Sequence, residues 1–136
     1  MEKSLSEDFV KDSIVAWLKK HDWNRNLKIR ELRDKGVDIK VQHTTHQKYF
    51  LIEAKGEGKH SQANDNNFVY SLGQIVTRMK YGSKTNYKYA IGLPDSIAKI
   101  AIRRLPWQIM KKLSLTILSV DKFGEVSLHT YKDIKK

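Results

Sequence analysis

Two short segments in the first half of the chain carry the alternating pattern of β-strands and constrain the fold most strongly. In residues 37–43 apolar side chains alternate with polar ones, and Asp38 is one of the polar residues. In residues 49–55 Glu53 and Lys55 stand two positions apart. Because successive side chains of a strand point to opposite faces, Glu53 and Lys55 share a face, and Asp38 joins them if the two strands pair. The sequence therefore predicts a sheet with three charged groups on one side.

The rest of the chain predicts a single α/β domain over residues 1–136. Apolar residues at helical spacing predict helices over residues 4–21, 67–81 and 97–104, with a further turn or two over 107–113. Strand patterns predict strands over residues 27–33, 37–43, 49–55, 87–93, 115–120 and 125–131. A polar loop is expected over residues 59–67, a helix stop at Gly82, and a helix cap at Asp95 or Ser96. The predicted order, α-β-β-β-α-β-α-β-β, gives a mixed central sheet flanked by helices.

The composition and the apolar pattern predict the cellular compartment and exclude some kinds of metal site. The 136 residues include no cysteine, which excludes disulfides and thiolate zinc sites and favours a reducing compartment. The segment Met1–Asp8 lacks the apolar core of a signal peptide, and no apolar run approaches the ~20 residues that span a bilayer. The five histidines show no ligand spacing. We therefore expect a cytoplasmic protein that does not enter the membrane and has no histidine metal site.

The charge balance favours a polyanionic partner. Lysine and arginine number 26 against 15 aspartate and glutamate residues, which gives a formal net charge of +11. Such an excess attracts phosphate backbones without regard to sequence. The alternative is that the charge serves solubility alone, and an acidic membrane surface is disfavoured because no strongly amphipathic basic helix is present. Nucleic acid is therefore the expected partner.

Asp38 and Glu53, together called the acidic pair below, have two interpretations. They could be an exposed turn residue and part of an exposed charge pair with Lys55, which would need no function. Residues 51–55 are largely apolar, however, and charges inside a strand covered on both faces are costly. Two carboxylates can instead hold a hard divalent cation while a neighbouring ammonium touches a phosphate or an attacking water. The residues favour metal-dependent cleavage of a phosphodiester.

Glu7 is a further acidic candidate, on the first predicted helix. At about 100° per residue it lies close to the stripe formed by Ile14 and Leu18, which should face the sheet. The alternative is a capping box in which Glu7 reaches back to the backbone amide of Ser4. The spacing leaves both open, and the nearby acidic pair favours a role in the site.

Polar residues flank the apolar stripe of the second predicted helix. Gln74 can position a water or a phosphate there, and Arg78 can bind a phosphate as a planar fork. The alternative is that both are ordinary residues at the boundary between core and solvent. Arg103 and Arg104, on the third predicted helix, are further candidates for contacts with nucleic-acid phosphates.

These positions together resemble the restriction-endonuclease-like, or PD-(D/E)XK, nucleases, and look closest to the Holliday-junction-resolvase-like and Mrr-like branch. The resemblance covers about residues 4–93. Four features carry it: Glu7 on the opening helix, Gly36-Val37-Asp38, Glu53-Ala54-Lys55 and Gln74 on the next helix. Val37 stands where the family's name has proline, a departure that many members share.

The resemblance implies a metal site and a catalytic lysine. Mg²⁺ or Mn²⁺ would be held by Asp38, Glu53 and Glu7, with the carbonyl of Ala54 as a further ligand. Lys55 would orient or deprotonate the attacking water and stabilise charge at the phosphate. The fold implied is a restriction-endonuclease-like core.

The expected function is that of a metal-dependent DNA endonuclease acting on duplex or branched DNA. A homodimer is expected because a small domain has one site and cutting two strands needs two. Two alternatives remain: a non-catalytic nucleic-acid-binding module, and a subunit of a larger restriction or mobile-element complex that needs a protein partner.

Overall fold

A computed structural model describes the chain over residues 4–30, 36–58, 61–79 and 86–135. The helices are α1 (Glu7–Lys20), α2 (Ser61–Thr77), α3 (Asp95–Arg104), α4 (Trp107–Leu113) and α5 (Tyr131–Ile134). The strands are β1 (Trp23–Ile29), β2 (Ile39–His43), β3 (Tyr49–Ala54), β4 (Tyr87–Pro94), β5 (Leu115–Val120) and β6 (Val126–His129). Within these described ranges, no helix combines the length and the apolar character that crossing a membrane requires.

The six strands form one open sheet in their order along the chain. Strands β1, β2 and β3 pair antiparallel, β3, β4 and β5 pair parallel, and β6 returns antiparallel to β5. Each parallel pair is joined through helices, as the geometry of a parallel connection requires. The prediction of an α/β domain with a mixed sheet flanked by helices is confirmed.

The sheet is covered on both faces, and a separate apolar cluster fills each side. On one face α1 buries Val10, Ile14 and Leu18, whose spacing of four residues places them on a single stripe. The opposite face is covered by α2 and α3, which bury Ile75 and Ile97 among their core residues. Strand β3 lies between these two layers, so any charge on it is removed from water.

The structure differs from the predicted bounds most clearly in α2. This helix begins at Ser61, so the prediction of a loop over residues 59–67 is wrong from residue 61 onward. The reason is tertiary: the side-chain carbonyl of Asn64 accepts a hydrogen bond from the backbone N–H of Gly58, and the Asn67 amide donates to the carbonyl of Gly56. These bonds stabilise a polar first turn that helix propensity alone does not favour.

Other boundaries shift by a few residues. Strand β1 begins at Trp23 rather than at residue 27, and the predicted end at residue 33 lies outside the described residues, as does Gly82. Pro94 occupies the N-cap of α3, so the predicted cap at Asp95 or Ser96 is wrong. The predicted last strand ends early because Thr130 and Asp133 form a capping box that starts α5.

Candidate active site

The acidic pair meets where β2 begins and β3 ends. Ile39 pairs with Ile52 across the antiparallel strands, which places Asp38 opposite Glu53. Both are buried, with 2% and 1% of their surfaces exposed. One carboxylate oxygen of Asp38, Oδ2, accepts a hydrogen bond from the backbone N–H of Ala54 at 2.9 Å. The structure therefore brings the two carboxylates together, as the alternating patterns predict.

Each carboxylate of the acidic pair also has a buried oxygen without a hydrogen-bond partner in the described part of the chain: Asp38 Oδ1 and Glu53 Oε2. Asp38 Oδ1 lies 2.8 Å from a guanidinium nitrogen of Arg30, a close ion pair whose geometry is not that of a hydrogen bond. Buried carboxylate oxygens without partners are costly. The arrangement therefore leaves Glu53 Oε2 able to bind a cation or a proton, whereas Asp38 Oδ1 can bind a metal cation only in exchange for Arg30.

The surroundings of Glu53 disfavour its ionised form. Burial and, to a smaller extent, the negative charge of Asp38 raise the pKa of Glu53, and the Arg78 guanidinium lowers it; together they move this pKa from 4.5 to about 7. Glu53 therefore changes charge near neutral pH, where an ordinary glutamate is fully ionised.

Two arginines and a lysine pair with the acidic pair. A guanidinium nitrogen of Arg78 lies 3.2 Å from Glu53 Oε1, and Lys11 Nζ lies 3.9 Å from Asp38 Oδ1. Arg30 adds to its side-chain contact a backbone N–H that donates to the Asp38 carbonyl at 2.8 Å. Sequence reasoning missed Arg30 and Lys11. The helical spacing of four residues from Glu7 could have identified Lys11. Arg30, in contrast, reaches Asp38 only through the pairing of β1 with β2.

Glu7 faces the cations of the site and does not cap its helix in the way considered above. The N-cap is Ser6, whose hydroxyl accepts a backbone N–H, so the capping box with Ser4 is wrong. Glu7 is the first residue of α1, and its carboxylate oxygens lie 3.4 Å from Lys11 Nζ and 3.7 Å from Lys55 Nζ. Glu7 therefore bridges two lysines beside the acidic pair.

The start of α1 is held against the end of β3 by two residues that sequence reasoning overlooked. A Cβ on Gly56 would lie 2.5 Å from the backbone nitrogen of Glu7, so the close approach requires glycine. Glu57 exchanges hydrogen bonds with Leu5: its Oε1 accepts the Leu5 N–H at 2.7 Å, and its own N–H donates to the Leu5 carbonyl at 2.8 Å. Its Oε2 accepts the Ser96 hydroxyl at 2.6 Å. Gly56 and Glu57 thus position Glu7.

Lys55 follows β3 directly and projects between two helices. Its backbone N–H donates to the carbonyl of Gly92 on β4 at 3.0 Å. Its ammonium lies 3.7 Å from Glu7 Oε1 and 4.7 Å from the centre of the Tyr70 ring on α2. The carboxylate of Glu7 and the face of Tyr70 hold the ammonium between α1 and α2.

The remaining predicted residues divide into one that reaches the acidic pair and three that do not. Arg78 reaches Glu53, whereas Gln74 contributes its backbone carbonyl, which accepts from the Arg78 guanidinium at 3.4 Å. A guanidinium nitrogen of Arg104 lies 3.6 Å from a carboxylate oxygen of Asp65, and Arg103 is exposed on the same turn of α3. Within the described contacts, Gln74, Arg103 and Arg104 do not touch the acidic pair, so their roles remain predictions.

The side chains that could bind the predicted metal ion are the two carboxylates of the acidic pair. Over the described ranges, no three histidine, cysteine, aspartate or glutamate side chains are grouped to hold one metal ion. The acidic pair nevertheless offers two hard oxygens without hydrogen-bond partners, which suits Mg²⁺ or Mn²⁺. The ligand roles expected of Glu7 and of the Ala54 carbonyl remain predictions.

No family model matches the chain, and no curated protein matches it. The function must therefore be inferred from the chemistry of the site.

Proposed function

We propose that the chain is a divalent-metal-dependent DNA endonuclease with a restriction-endonuclease-like core. The observation that carries the proposal is the buried acidic pair, with an oxygen on each carboxylate that lacks a hydrogen-bond partner and with Lys55 nearby. A hard cation would bind Glu53 Oε2 directly and Asp38 Oδ1 in place of Arg30. When bound, Mg²⁺ or Mn²⁺ would acidify a water and neutralise charge on the phosphate.

The side chains around the acidic pair have distinct roles in this proposal. Asp38 and Glu53 hold the cation. Lys55, held by Glu7, orients the attacking water and stabilises the negative charge that develops on the phosphate. The guanidinium of Arg78 is a fork suited to a phosphate next to the one that is cut. Each chain holds one acidic pair, so a homodimer would cut both strands of a duplex.

The element order supports the proposed core. Helix α1 presents Glu7 beside the antiparallel pair of strands that carries the acidic residues, and α2 follows directly. Strand β4 then extends the sheet in parallel on the far side of β3. This order over residues 7–94 agrees with the one that the residue patterns predict.

Nicking of supercoiled plasmid by the purified chain tests the proposal. We expect cleavage with Mg²⁺ or Mn²⁺ and none with chelator. Glu53→Gln should reduce the rate by about 100-fold or more, because an uncharged amide holds a hard cation poorly. Lys55→Ala should lose cleavage but keep DNA affinity within a few fold, since one phosphate contact is a small share of the total.

Matched controls separate these effects from a general loss of charge. Glu125→Gln and Lys112→Ala alter exposed residues of the same types, and both should cleave as the unmodified protein does. Cleavage that persists in chelator, or in Glu53→Gln at the unmodified rate, would refute the assignment.

One observation favours a second function, a nucleic-acid-binding module without catalysis. Arg30 and Arg78 already pair with the two acidic residues, as they would in a cluster that serves only the fold. In that case the unmodified chain would bind DNA and never cut it, and Glu53→Gln would change stability alone. Plasmid nicking therefore decides between the two functions for the isolated chain. Activity that appears only with a partner protein would instead indicate a subunit of a larger complex.

A further inference from the structure

A cleft with basic walls opens beside the acidic pair. Its volume is about 660 Å³, and its cationic lining residues are Lys28, Arg30, Lys40 and Arg78. Arg30 and Arg78 are the two arginines that contact the acidic pair. No carboxylate is among its described lining residues. The described lining of the cleft is therefore rich in cationic side chains, and Arg30 and Arg78 connect it to the acidic pair.

A second cavity, of about 540 Å³, continues the cleft and has aromatic walls. It shares Lys28 and Lys40 with the first cavity and adds Tyr49 and Tyr87. The two tyrosine rings are stacked, with centres 4.9 Å apart and planes 15° from parallel. The ammonium of Lys40 lies 5.8 Å from the centre of the Tyr49 ring. A stacked aromatic pair therefore lies next to the lysines that the two cavities share.

An irregularity in β1 shapes the outer wall of this second cavity. The register of β1 against β2 shifts twice between Trp23 and Lys28, and Asn26 adopts a left-handed backbone with φ of 51°. A bulge of this kind bends an edge strand and re-aims its side chains. Asn26 and Lys28 both line the cavity, and Gln42 of β2 adds a second amide. The cavity is thus lined by the tyrosines and by two side-chain amides, which share a hydrogen bond from Asn26 Nδ2 to Gln42 Oε1 at 3.0 Å.

We propose that the two cavities form one groove, the basic-aromatic groove, that binds a single strand of DNA and leads it to the acidic pair. The lysines and arginines would hold the phosphates, and a base would stack on Tyr49. A duplex keeps its bases stacked inside and cannot use the tyrosine face. The direction of the bound strand toward the acidic pair rests on the proposed function. The groove therefore assigns a substrate class, which is DNA with an unpaired strand beside the bond that is cut.

Fluorescence anisotropy without divalent metal tests the groove. The probes are a labelled oligothymidine of about ten nucleotides and a duplex of the same length. Tyr49→Leu keeps an apolar side chain but removes the ring, and it should weaken binding of the single strand about tenfold while changing duplex binding less than about twofold. Tyr49→Phe, which keeps the ring, should restore most of the affinity for the single strand.

A charge variant tests the phosphate contacts of the groove. Lys40→Gln should lower affinity for the single strand and reduce the slope of log affinity against log salt by about one unit. Lys19→Gln is the matched control, because Lys19 is exposed on α1, the helix that covers the other face of the sheet. It should leave both probes bound as before.

The outcomes distinguish the groove from the proposed function. Unchanged binding of the single strand by Tyr49→Leu and Lys40→Gln, or an equal loss for single strand and duplex, would overturn the groove even if the chain nicks plasmid. A selective loss of affinity for the single strand would support the groove even if no DNA is cut. In that case only the nuclease proposal would fail.

Discussion

Two neighbouring parts of one sheet bury opposite kinds of side chain. The central parallel strands β4 and β5 bury Ile91, Leu93 and Ile117 with no exposed surface, and they are covered on both faces. Near-continuous apolar runs are typical of such strands. Where β2 meets β3, one strand away, Asp38 and Glu53 are buried to nearly the same degree. Burial alone therefore does not distinguish the two regions.

The buried isoleucines stabilise the fold, whereas the buried carboxylates destabilise it. Each buried isoleucine contributes favourable free energy by leaving water. Each buried carboxylate loses hydration that its arginine only partly replaces, and two like charges face each other. A fold that keeps such a pair beside an ordinary core holds it for another reason, and ligand binding is the reason proposed here.

The largest expected effect on stability lies in the apolar region. Ile117→Ala should lower the free energy of unfolding by about 3 kcal/mol, because it removes buried methyl groups and leaves a cavity. Urea denaturation measures this loss, and binding of DNA and metal at temperatures where the variant is folded should be unchanged. A loss below about 1 kcal/mol would show that the centre of the sheet is not the stabilising region.

A smaller loss is expected where α1 touches the end of β3. Gly56→Ala should cost about 2 kcal/mol, because the new Cβ meets backbone atoms of residues 5–7 that cannot move aside without shifting the helix. The same shift should separate Glu7 from Lys55 and reduce cleavage.

The matched control is Gly73→Ala, in a helical position where a Cβ meets nothing within 4 Å. That change should instead stabilise the protein by about 0.5–1 kcal/mol. Equal effects of the two substitutions would show that the approach of Glu7 to Gly56 is not tight.

Apart from the Gly73 control, the smallest expected effect on stability is a gain at the acidic pair. The pKa of Glu53 is about 7 in the folded chain, above the 4.5 of an ordinary glutamate, so the folded state binds the proton more tightly. The contribution of Glu53 to stability is therefore lost as pH rises from about 4.5 to about 7. Glu53→Gln does not titrate and should be more stable by about 1–2 kcal/mol at pH 8, with little gain near pH 5.

Thermal unfolding of both proteins across this pH range measures the difference. Glu125→Gln, at an exposed glutamate, should show no such trend with pH. The contrary result is a difference in stability, variant minus unmodified chain, that is lower at pH 8 than at pH 5. It would mean that the carboxylate of Glu53 stabilises the fold.

The sequence predicted the parts of this comparison that depend on local pattern. Alternation in residues 37–43 and 49–55 placed Asp38 and Glu53 on paired strands, and the structure brings them together. The periodic apolar residues of α1 and the strand β5 were also predicted with nearly correct bounds. In each case the neighbours along the chain determine which face is buried.

The parts that the sequence did not predict depend on contacts between distant segments. Arg30 meets Asp38 through strand pairing, and Glu57 joins the start of α1 to the start of α3 through Leu5 and Ser96. The first turn of α2 depends on hydrogen bonds from the loop after β3. No periodicity marks such partners, because their positions follow from the assembled fold.

The central claim is that the acidic pair binds a divalent cation, and calorimetric titration with Mn²⁺ tests it most directly. The unmodified chain should bind Mn²⁺, Asp38→Asn and Glu53→Gln should each abolish the binding heat, and Glu125→Gln should retain it. Mn²⁺ binding that is unchanged in both Asp38→Asn and Glu53→Gln, or absent from the unmodified chain, would contradict the account.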